Sequence, residues 1–183
     1  MPTKYTRREL FSLFRGTLNF QPTEIAPCPV PLRPPGAVAE TLFSQLCQRC
    51  GHCVSICPRQ AIKPLPVEYG DKQGTPYVSP GEAPCVLCEG LLCTTVCPSG
   101  ALQSVSRPTE VQMGSAILDV VRCLPFQGKH CAVCYERCPI SGALRNDSQG
   151  RPQVADACVG CGLCEYHCPV QPAAIAVYPR NRG

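Results

Sequence analysis

Sixteen of the seventeen cysteines fall into four blocks of four, and a proline follows the last cysteine of every block. The blocks are Cys47-Cys50-Cys53-Cys57, Cys85-Cys88-Cys93-Cys97, Cys123-Cys131-Cys134-Cys138 and Cys158-Cys161-Cys164-Cys168. Three thiolates on one tight loop can each reach a different iron of the same cube, and a fourth cysteine before proline completes the pattern typical of [4Fe–4S] ligation. The spacing therefore predicts four [4Fe–4S] clusters, with these sixteen cysteines as the metal- and cofactor-binding residues.

The spacing leaves two alternatives for the cluster that the fourth cysteine of each block binds. In proteins with two such clusters, it binds the cluster of the other block. Pairing of neighbouring blocks would exchange Cys57 with Cys97 and Cys138 with Cys168. A nested arrangement, which pairs the first block with the fourth and the second with the third, satisfies the cysteine count equally well. The sixteen ligands are the same in both.

Two blocks contain longer gaps than the plain pattern. Four residues separate Cys88 from Cys93, and seven separate Cys123 from Cys131. Loop length changes solvent access and the hydrogen bonds to sulfur, and both of these tune the reduction potential of a cluster. We therefore expect the four clusters to differ in potential.

Other uses of the cysteines fit the pattern less well. Zinc sites use paired Cys-x-x-Cys units but need no cysteine before proline in every block. Disulfides form in oxidising compartments, to which a signal peptide usually directs a protein, and we recognise no such signal in this sequence. A three-iron cluster or partial filling at one site stays open. We expect His52, His130 and His167, which lie in or beside blocks, to be surface or supporting residues rather than ligands.

The composition predicts a small core. Proline and glycine contribute 21 and 15 of the 183 residues, and there is no tryptophan, so the clusters themselves are expected to nucleate folding. The formal charge of +4 counts every cysteine as a neutral thiol. Each cluster with its four thiolates adds about −2, which takes the loaded protein to roughly −4. The sequence pI of 8.3 therefore gives no indication of nucleic-acid binding.

The first forty residues divide into a basic segment and a proline-rich one. Residues 1–20 carry a net charge of +3, and a capping box at Thr6-Arg7-Arg8-Glu9 precedes apolar residues at helical spacing. This predicts an amphipathic helix over 6–19, which covers the protein's own core or contacts a partner or an anionic membrane. Residues 21–40 contain six prolines and predict an extended linker, in which Cys28 is expected to bind no cluster.

The repeat of the blocks predicts the fold class. A short apolar run follows each block, and a glycine-containing turn with a second run follows two of them. This alternation predicts an α+β, loop-rich fold in which short helices and small antiparallel hairpins surround the clusters. We expect two tandem bacterial-type two-cluster ferredoxin modules at residues 41–106 and 115–180, with residues 107–122 joining them.

Six segments carry a likeness to a known family. They are Gly74-Thr75-Pro76-Tyr77, Cys85-x2-Cys88-x4-Cys93-x3-Cys97-Pro98-Ser99-Gly100-Ala101-Leu102, Met113-Gly114, Cys123-Leu124-x-Phe126-Gln127-Gly128, Cys131-x2-Cys134-Tyr135-x2-Cys138-Pro139 and Cys158-x-Gly160-Cys161-Gly162-x-Cys164. In these segments the chain resembles the NapG/MauM group of ferredoxin-type proteins. The first block fits that group and the related NapF group, which shares the seven-residue gap of the third block.

The start of the chain resembles NapF more than NapG. The NapG group carries a twin-arginine export signal, but no apolar stretch of sufficient length follows Arg7-Arg8 in this sequence. We therefore predict a cytoplasmic location, with any association with a membrane made through a partner or through residues 6–19.

The resemblance implies a protein that passes single electrons to or from a partner oxidoreductase. The family link is to periplasmic nitrate reductase and, for MauM, to methylamine oxidation. The implied partners are a molybdenum oxidoreductase and a membrane subunit that oxidises quinol. The alternative function is that of an accessory factor in the maturation of a molybdenum-type oxidoreductase. The sequence shows no nucleotide or flavin fingerprint and no open-site metal motif, which disfavours a substrate site of its own.

Overall fold

Six short strands form three separate two-stranded antiparallel sheets in the computed structural model, which describes residues 30–180. The strands are β1 (Ile62–Pro64), β2 (Pro76–Val78), β3 (Gly114–Leu118), β4 (Leu144–Asn146), β5 (Pro152–Val154) and β6 (Ile175–Pro179). β1 pairs with β2 and β4 with β5, each with its neighbour along the chain. β3 instead pairs with the distant β6, with Leu118 opposite Ile175.

The helices are too short to be stable alone. The α-helices of the described range are α1 (Glu40–Leu46), α2 (His52–Ile56), α3 (Leu92–Thr95), α4 (Val133–Glu136) and α5 (Leu163–Tyr166). Short 3₁₀ segments lie at Val67–Lys72, Glu89–Leu91, Pro108–Glu110 and Leu124–Gln127, and the first two are kinked at Gly70 and Gly90. Helices of this length depend on tertiary packing, because forming the first helical turn costs more free energy than so few hydrogen bonds recover. Within residues 30–180, none is long and apolar enough to cross a membrane.

Helices α2 to α5 occupy equivalent places in the four blocks. Each contains the third cysteine of its block and ends one or two residues before the fourth. α2 packs against α3, and α4 packs against α5. The two ends of each helix therefore deliver two cysteines of the same block to different places.

Buried apolar side chains form two groups. The larger contains Phe43, Leu91 and Val111 among its fully buried members, and cysteines of all four blocks belong to it or pack on it, with the third block represented by Cys138. The smaller is centred on Ala116, Leu144 and Ile175, with cysteines of the third and fourth blocks around it. Each apolar group thus surrounds cysteines.

The proline-rich segment joins the core from Pro31 onward, which the expectation of a linker over residues 21–40 does not anticipate. Leu32 is buried, and its carbonyl oxygen accepts a hydrogen bond of 2.8 Å from the backbone N–H of Val78 in β2. Ala37 forms an isolated antiparallel bridge with Leu102. The predicted helix over 6–19 and Cys28 lie outside the described residues.

A buried arginine explains why this segment packs. Arg33 is only 5% exposed, and its guanidinium donates to both carboxylate oxygens of Glu40, at 2.7 and 2.8 Å. It also donates to Thr75 Oγ1 at 2.9 Å and to the carbonyl oxygen of Pro76 at 2.8 Å, and it lies 4.4 Å from the centre of the Phe43 ring. A buried guanidinium requires such partners. Arg33 therefore ties the segment to α1 and β2.

The observed arrangement is a small, loop-rich mixture of helices and antiparallel strands, so the predicted α+β class is confirmed. The hairpins after the first and third blocks follow the predicted runs. Helix α1 was not predicted, since its sequence Glu-Thr-Leu-Phe-Ser-Gln-Leu contains too few residues to show a helical period.

Candidate metal centres

The sixteen block cysteines line four cavities, four cysteines to each, and we name each cavity after its first block cysteine. The cavities are the Cys47 cavity (Cys47, Cys50, Cys53, Cys97), the Cys85 cavity (Cys85, Cys88, Cys93, Cys57), the Cys123 cavity (Cys123, Cys131, Cys134, Cys168) and the Cys158 cavity (Cys158, Cys161, Cys164, Cys138). Each takes three cysteines from one block and the fourth from the neighbouring block. Of the two arrangements left open by the sequence, the grouping follows the exchange between neighbours.

The cavities suit a polynuclear group better than a single ion. Each contains about 400 or about 340 Å³ of space between its lining atoms, part of it open to solvent. Within residues 30–180, no three His, Cys, Asp or Glu side chains converge closely enough to hold one metal ion. In a cubane cluster each thiolate binds a different iron, so four sulfurs spread around a cavity are the arrangement expected for its ligands.

A left-handed residue shapes the cysteine loop in three of the blocks. Arg49, Leu87 and Gly160 each precede the second cysteine, with φ of 54°, 50° and 75°. This conformation costs a residue other than glycine on the order of 1–3 kcal/mol and persists only where neighbours fix it. Arg49 is fixed by hydrogen bonds from its guanidinium to the carbonyl oxygens of Asp71 and Gln73, whereas Leu87 is buried.

Backbone N–H groups point at three of the four cysteines that precede proline. The donors lie in the apolar runs after the blocks: Ala61 to Cys57 Sγ at 3.3 Å, Leu102 to Cys97 Sγ at 3.4 Å and Ala174 to Cys168 Sγ at 3.3 Å. Hydrogen bonds of this kind favour the thiolate over the thiol. The sulfur of the remaining cysteine, Cys138, instead lies 3.5 Å from the carbonyl oxygen of Ile140.

Cys97 has a further contact that sequence reasoning did not single out. The hydroxyl oxygen of Ser99 lies 3.6 Å from Cys97 Sγ. Burial raises the pKa of Cys97, but the Leu102 N–H and the Ser99 hydroxyl outweigh it, so that the pKa lies below its ordinary value. The sequence contains an indication of this contact, because the residue after Cys-Pro is serine in the second block but Arg59, Ile140 or Val170 in the others.

In the described part of the chain, every other thiol whose pKa is perturbed has the opposite shift. Burial raises the pKa of Cys53 to about 11, with neighbouring cysteines of its cavity contributing. Burial likewise raises the pKa of Cys85 and of Cys93 to about 12. Iron binds the thiolate, so filling such cavities releases protons.

The three histidines occupy less central places. His52 is exposed and lies at the rim of the Cys47 cavity. The lining of the other three cavities contains no histidine in the described part of the chain. The ring of His167 packs edge-on against Tyr166, at 5.1 Å between centroids.

A fifth cavity, larger than these four, is not lined by cysteine. It has about 760 Å³ of space between Val30, Arg33, Gln112 and Arg180, among others. It adjoins both ends of the described range, and it contains none of the predicted ligands. The chemistry therefore belongs to the four smaller cavities.

Comparison with known proteins identifies the same chemistry. Residues 46–101 match the family described as 4Fe-4S dicluster domain. The chain is 43% identical over 164 residues to the ferredoxin-type protein NapG of Escherichia coli strain K12, which covers 82% of this chain and 71% of that protein.

Two other relatives carry related names. The methylamine utilization ferredoxin-type protein MauM of Methylobacillus flagellatus is 38% identical over 170 residues, or 86% of this chain and 72% of the relative. The ferredoxin-type protein NapF of Haemophilus influenzae is 32% identical over 148 residues, or 77% of this chain and 76% of the relative. The predicted family resemblance is confirmed. The chain belongs to the NapG/MauM family of ferredoxin-type proteins and is an iron–sulfur electron-transfer protein.

Proposed function

We propose that each of the four cavities holds one [4Fe–4S] cluster, so that the sixteen block cysteines are its ligands and the chain forms two tandem two-cluster ferredoxin modules at residues 41–106 and 115–180. The grouping of the cysteines into four sets of four carries this proposal. Each set supplies the four thiolates that a cubane needs, and the fourth cysteine comes from the neighbouring block, as in two-cluster ferredoxins.

The chain supplies thiolates, shielding and hydrogen bonds to these cavities. A bound [4Fe–4S] cluster supplies one-electron transfer. The buried sulfurs of Cys53, Cys93 and Cys164 are kept from water, whereas the backbone donors at Ala61 and Leu102 stabilise negative charge on sulfur. Differences in burial and in hydrogen bonding are two means by which a protein sets the reduction potential. The four cavities differ in both.

The protein acts in this proposal as a carrier without a substrate site of its own. The names of its relatives refer to ferredoxin-type proteins and to methylamine utilization. The name of MauM supports a redox partner of the methylamine-oxidising kind, and the family link to nitrate reductase given above supports one of the nitrate-reductase kind. The cytoplasmic location remains a prediction, which fractionation of cells producing the full chain would test.

Anaerobic purification followed by iron and acid-labile sulfide analysis tests the cluster count. Four cubanes require about sixteen irons and sixteen sulfides per chain. A content near eight of each would contradict the proposal, because two cavities would then be without clusters. Titration with a reductant, followed by electron paramagnetic resonance, should in addition give paramagnetic signals that integrate to four one-electron centres.

A second measurement separates a carrier from a maturation factor. The loaded protein is added to a partner oxidoreductase that is already mature, with a reductant that does not reduce the partner directly. Restored turnover supports the carrier. An effect seen only when the protein is present during synthesis of the partner would contradict it and would support the accessory role.

A further inference from the structure

The four cavities do not follow one another in space as their blocks follow one another in sequence. Three contacts determine their order, and each is independent of the others. The first two lie within pairs of neighbouring blocks, and the third joins the two pairs.

Helices connect the cavities within each pair. α2 contains Cys53 of the Cys47 cavity and ends one residue before Cys57 of the Cys85 cavity, and α3 contains Cys93 and ends two residues before Cys97. At about 1.5 Å per residue, four residues place the two ends of such a link about 6 Å apart. α4 and α5 connect the Cys123 and Cys158 cavities in the same way.

The pairs meet through the Cys85 and Cys158 cavities. The backbone N–H of Cys85 donates to the carbonyl oxygen of Cys161 at 2.9 Å. Next to this hydrogen bond, a Cβ added to Gly162 would lie 2.5 Å from the ring of Pro80, so the two loops are in close contact.

The apolar groups give the same order. The larger group includes cysteines of the Cys47, Cys85 and Cys158 cavities, and the smaller group includes cysteines of the Cys158 and Cys123 cavities. Among residues 30–180, only the Cys158 cavity contributes to both. It is also lined by no exposed residue, whereas Gln48, Arg49 and Cys50 at the Cys47 cavity are exposed.

We propose that the electron path through this protein runs in the order Cys47 cavity, Cys85 cavity, Cys158 cavity, Cys123 cavity, so that the first and third blocks hold the two ends at which redox partners exchange electrons. This inference rests on the proposed function, since it needs a cluster in each cavity. The order of the blocks in the sequence would instead place the Cys158 cavity at an end.

Removal of one cluster at a time distinguishes the two orders. Four variants each lose a ligand of one cavity: Cys50→Ala, Cys88→Ala, Cys131→Ala and Cys161→Ala. Iron analysis comes first, and about twelve irons per chain shows that one cluster is missing and three remain. A wild-type content well below sixteen would count against the proposed function and not against the order.

Electron paramagnetic resonance of the fully reduced variants then reports which clusters are neighbours. Reduced clusters that lie next to each other broaden and split each other's signals. In the proposed order, Cys88→Ala and Cys161→Ala each leave one of three clusters alone, so about one third of the integrated signal should become narrow and uncoupled. Cys50→Ala and Cys131→Ala remove an end and should leave all three coupled.

The third and fourth blocks decide the outcome. An uncoupled third in Cys131→Ala and none in Cys161→Ala would overturn the order in favour of the sequence order. An uncoupled signal in neither of the two would overturn a linear path. If an alanine variant does not fold, the serine variant at the same position keeps an oxygen ligand and lowers the potential of that cluster. At a potential that reduces only the other three clusters, the same pattern is expected.

Discussion

The exchange of cysteines between neighbouring blocks predicts an effect that crosses from one block to another. Cys97 belongs to the second block but lines the cavity of Cys47, Cys50 and Cys53. Cys97→Ala should therefore cost the protein the cluster of the first block, about four of sixteen irons. The three cysteines left without a cluster should become available to an alkylating reagent.

Alkylation followed by peptide mass spectrometry measures which thiols have been released, and the structure predicts their order of reaction. Cys50 is exposed and should react first. Cys53 is buried, and burial raises its pKa from 9.0 to about 11. The thiolate is the reactive form, so at pH 8 about 100-fold less of Cys53 is reactive than of an ordinary thiol. Cys47, which is partly exposed, should react between the two.

The matched variant is Cys57→Ala. Its side chain lines the cavity of Cys85, Cys88 and Cys93, so these three should be alkylated while Cys97 stays protected. Release of the second block's own cysteines by Cys97→Ala would refute the exchange. Release of cysteines from the third or fourth block in either variant would instead support the nested arrangement.

Three further predictions concern single side chains. Replacing Ser99 by alanine removes a hydroxyl from Cys97 Sγ and should make the reduction potential of that cluster more negative by roughly tens of millivolts, where 59 mV corresponds to a tenfold change in a one-electron equilibrium. Redox titration followed by electron paramagnetic resonance measures this potential. Ser99→Thr should keep most of the wild-type value. Arg33→Met breaks a buried ion pair and should destabilise the protein by about 3 kcal/mol, near the lower limit for such pairs. Arg107→Ala, at an exposed pair, should lower the free energy of unfolding by less than about 1 kcal/mol. Anaerobic unfolding in guanidinium compares the two variants, and equal effects would contradict the role of Arg33. Burial raises the pKa of Glu40, but the hydrogen bonds and charges of Arg33 and Lys72 outweigh it and leave the pKa below 4.5. The contribution of the Glu40 carboxylate to stability is therefore complete above pH 4.5 and is lost as the pH falls through the lowered pKa. The difference in unfolding midpoint between wild type and Glu40→Gln should shrink over that range, and a difference independent of pH would show that the charge of Glu40 is not responsible.

The sequence predicted local features well and distant ones poorly. Cysteine spacing indicates which residues share a loop, and short apolar runs around glycine turns predicted the hairpins β1–β2 and β4–β5. The pairing of β3 with β6 was not predicted, because the two strands are far apart in sequence and each is only five residues long. Only tertiary packing brings such strands together.

The same reasoning applies to the candidate sites. Three cysteines of a set are close together in sequence, but the fourth comes from another loop, and no spacing rule states which one. The position of Ser99 beside Cys97 depends on the turn after Pro98, and the burial of Arg33 depends on partners in α1 and β2. A run of prolines predicts an extended chain, whereas the environment of that chain is decided by the residues packed against it.

The pairing of β3 with β6 has a consequence for the order in which the protein is made. The first half has its last cysteine and the bridge from Ala37 once Leu102 has left the ribosome. The second half lacks the partner strand of β3 until Pro179 has been added. Domains tend to fold from the amino terminus during synthesis, at about 5–20 residues per second. All eight cysteines of the third and fourth blocks are therefore translated before β3 can pair with β6, whose Ala116 and Val177 line the Cys158 cavity.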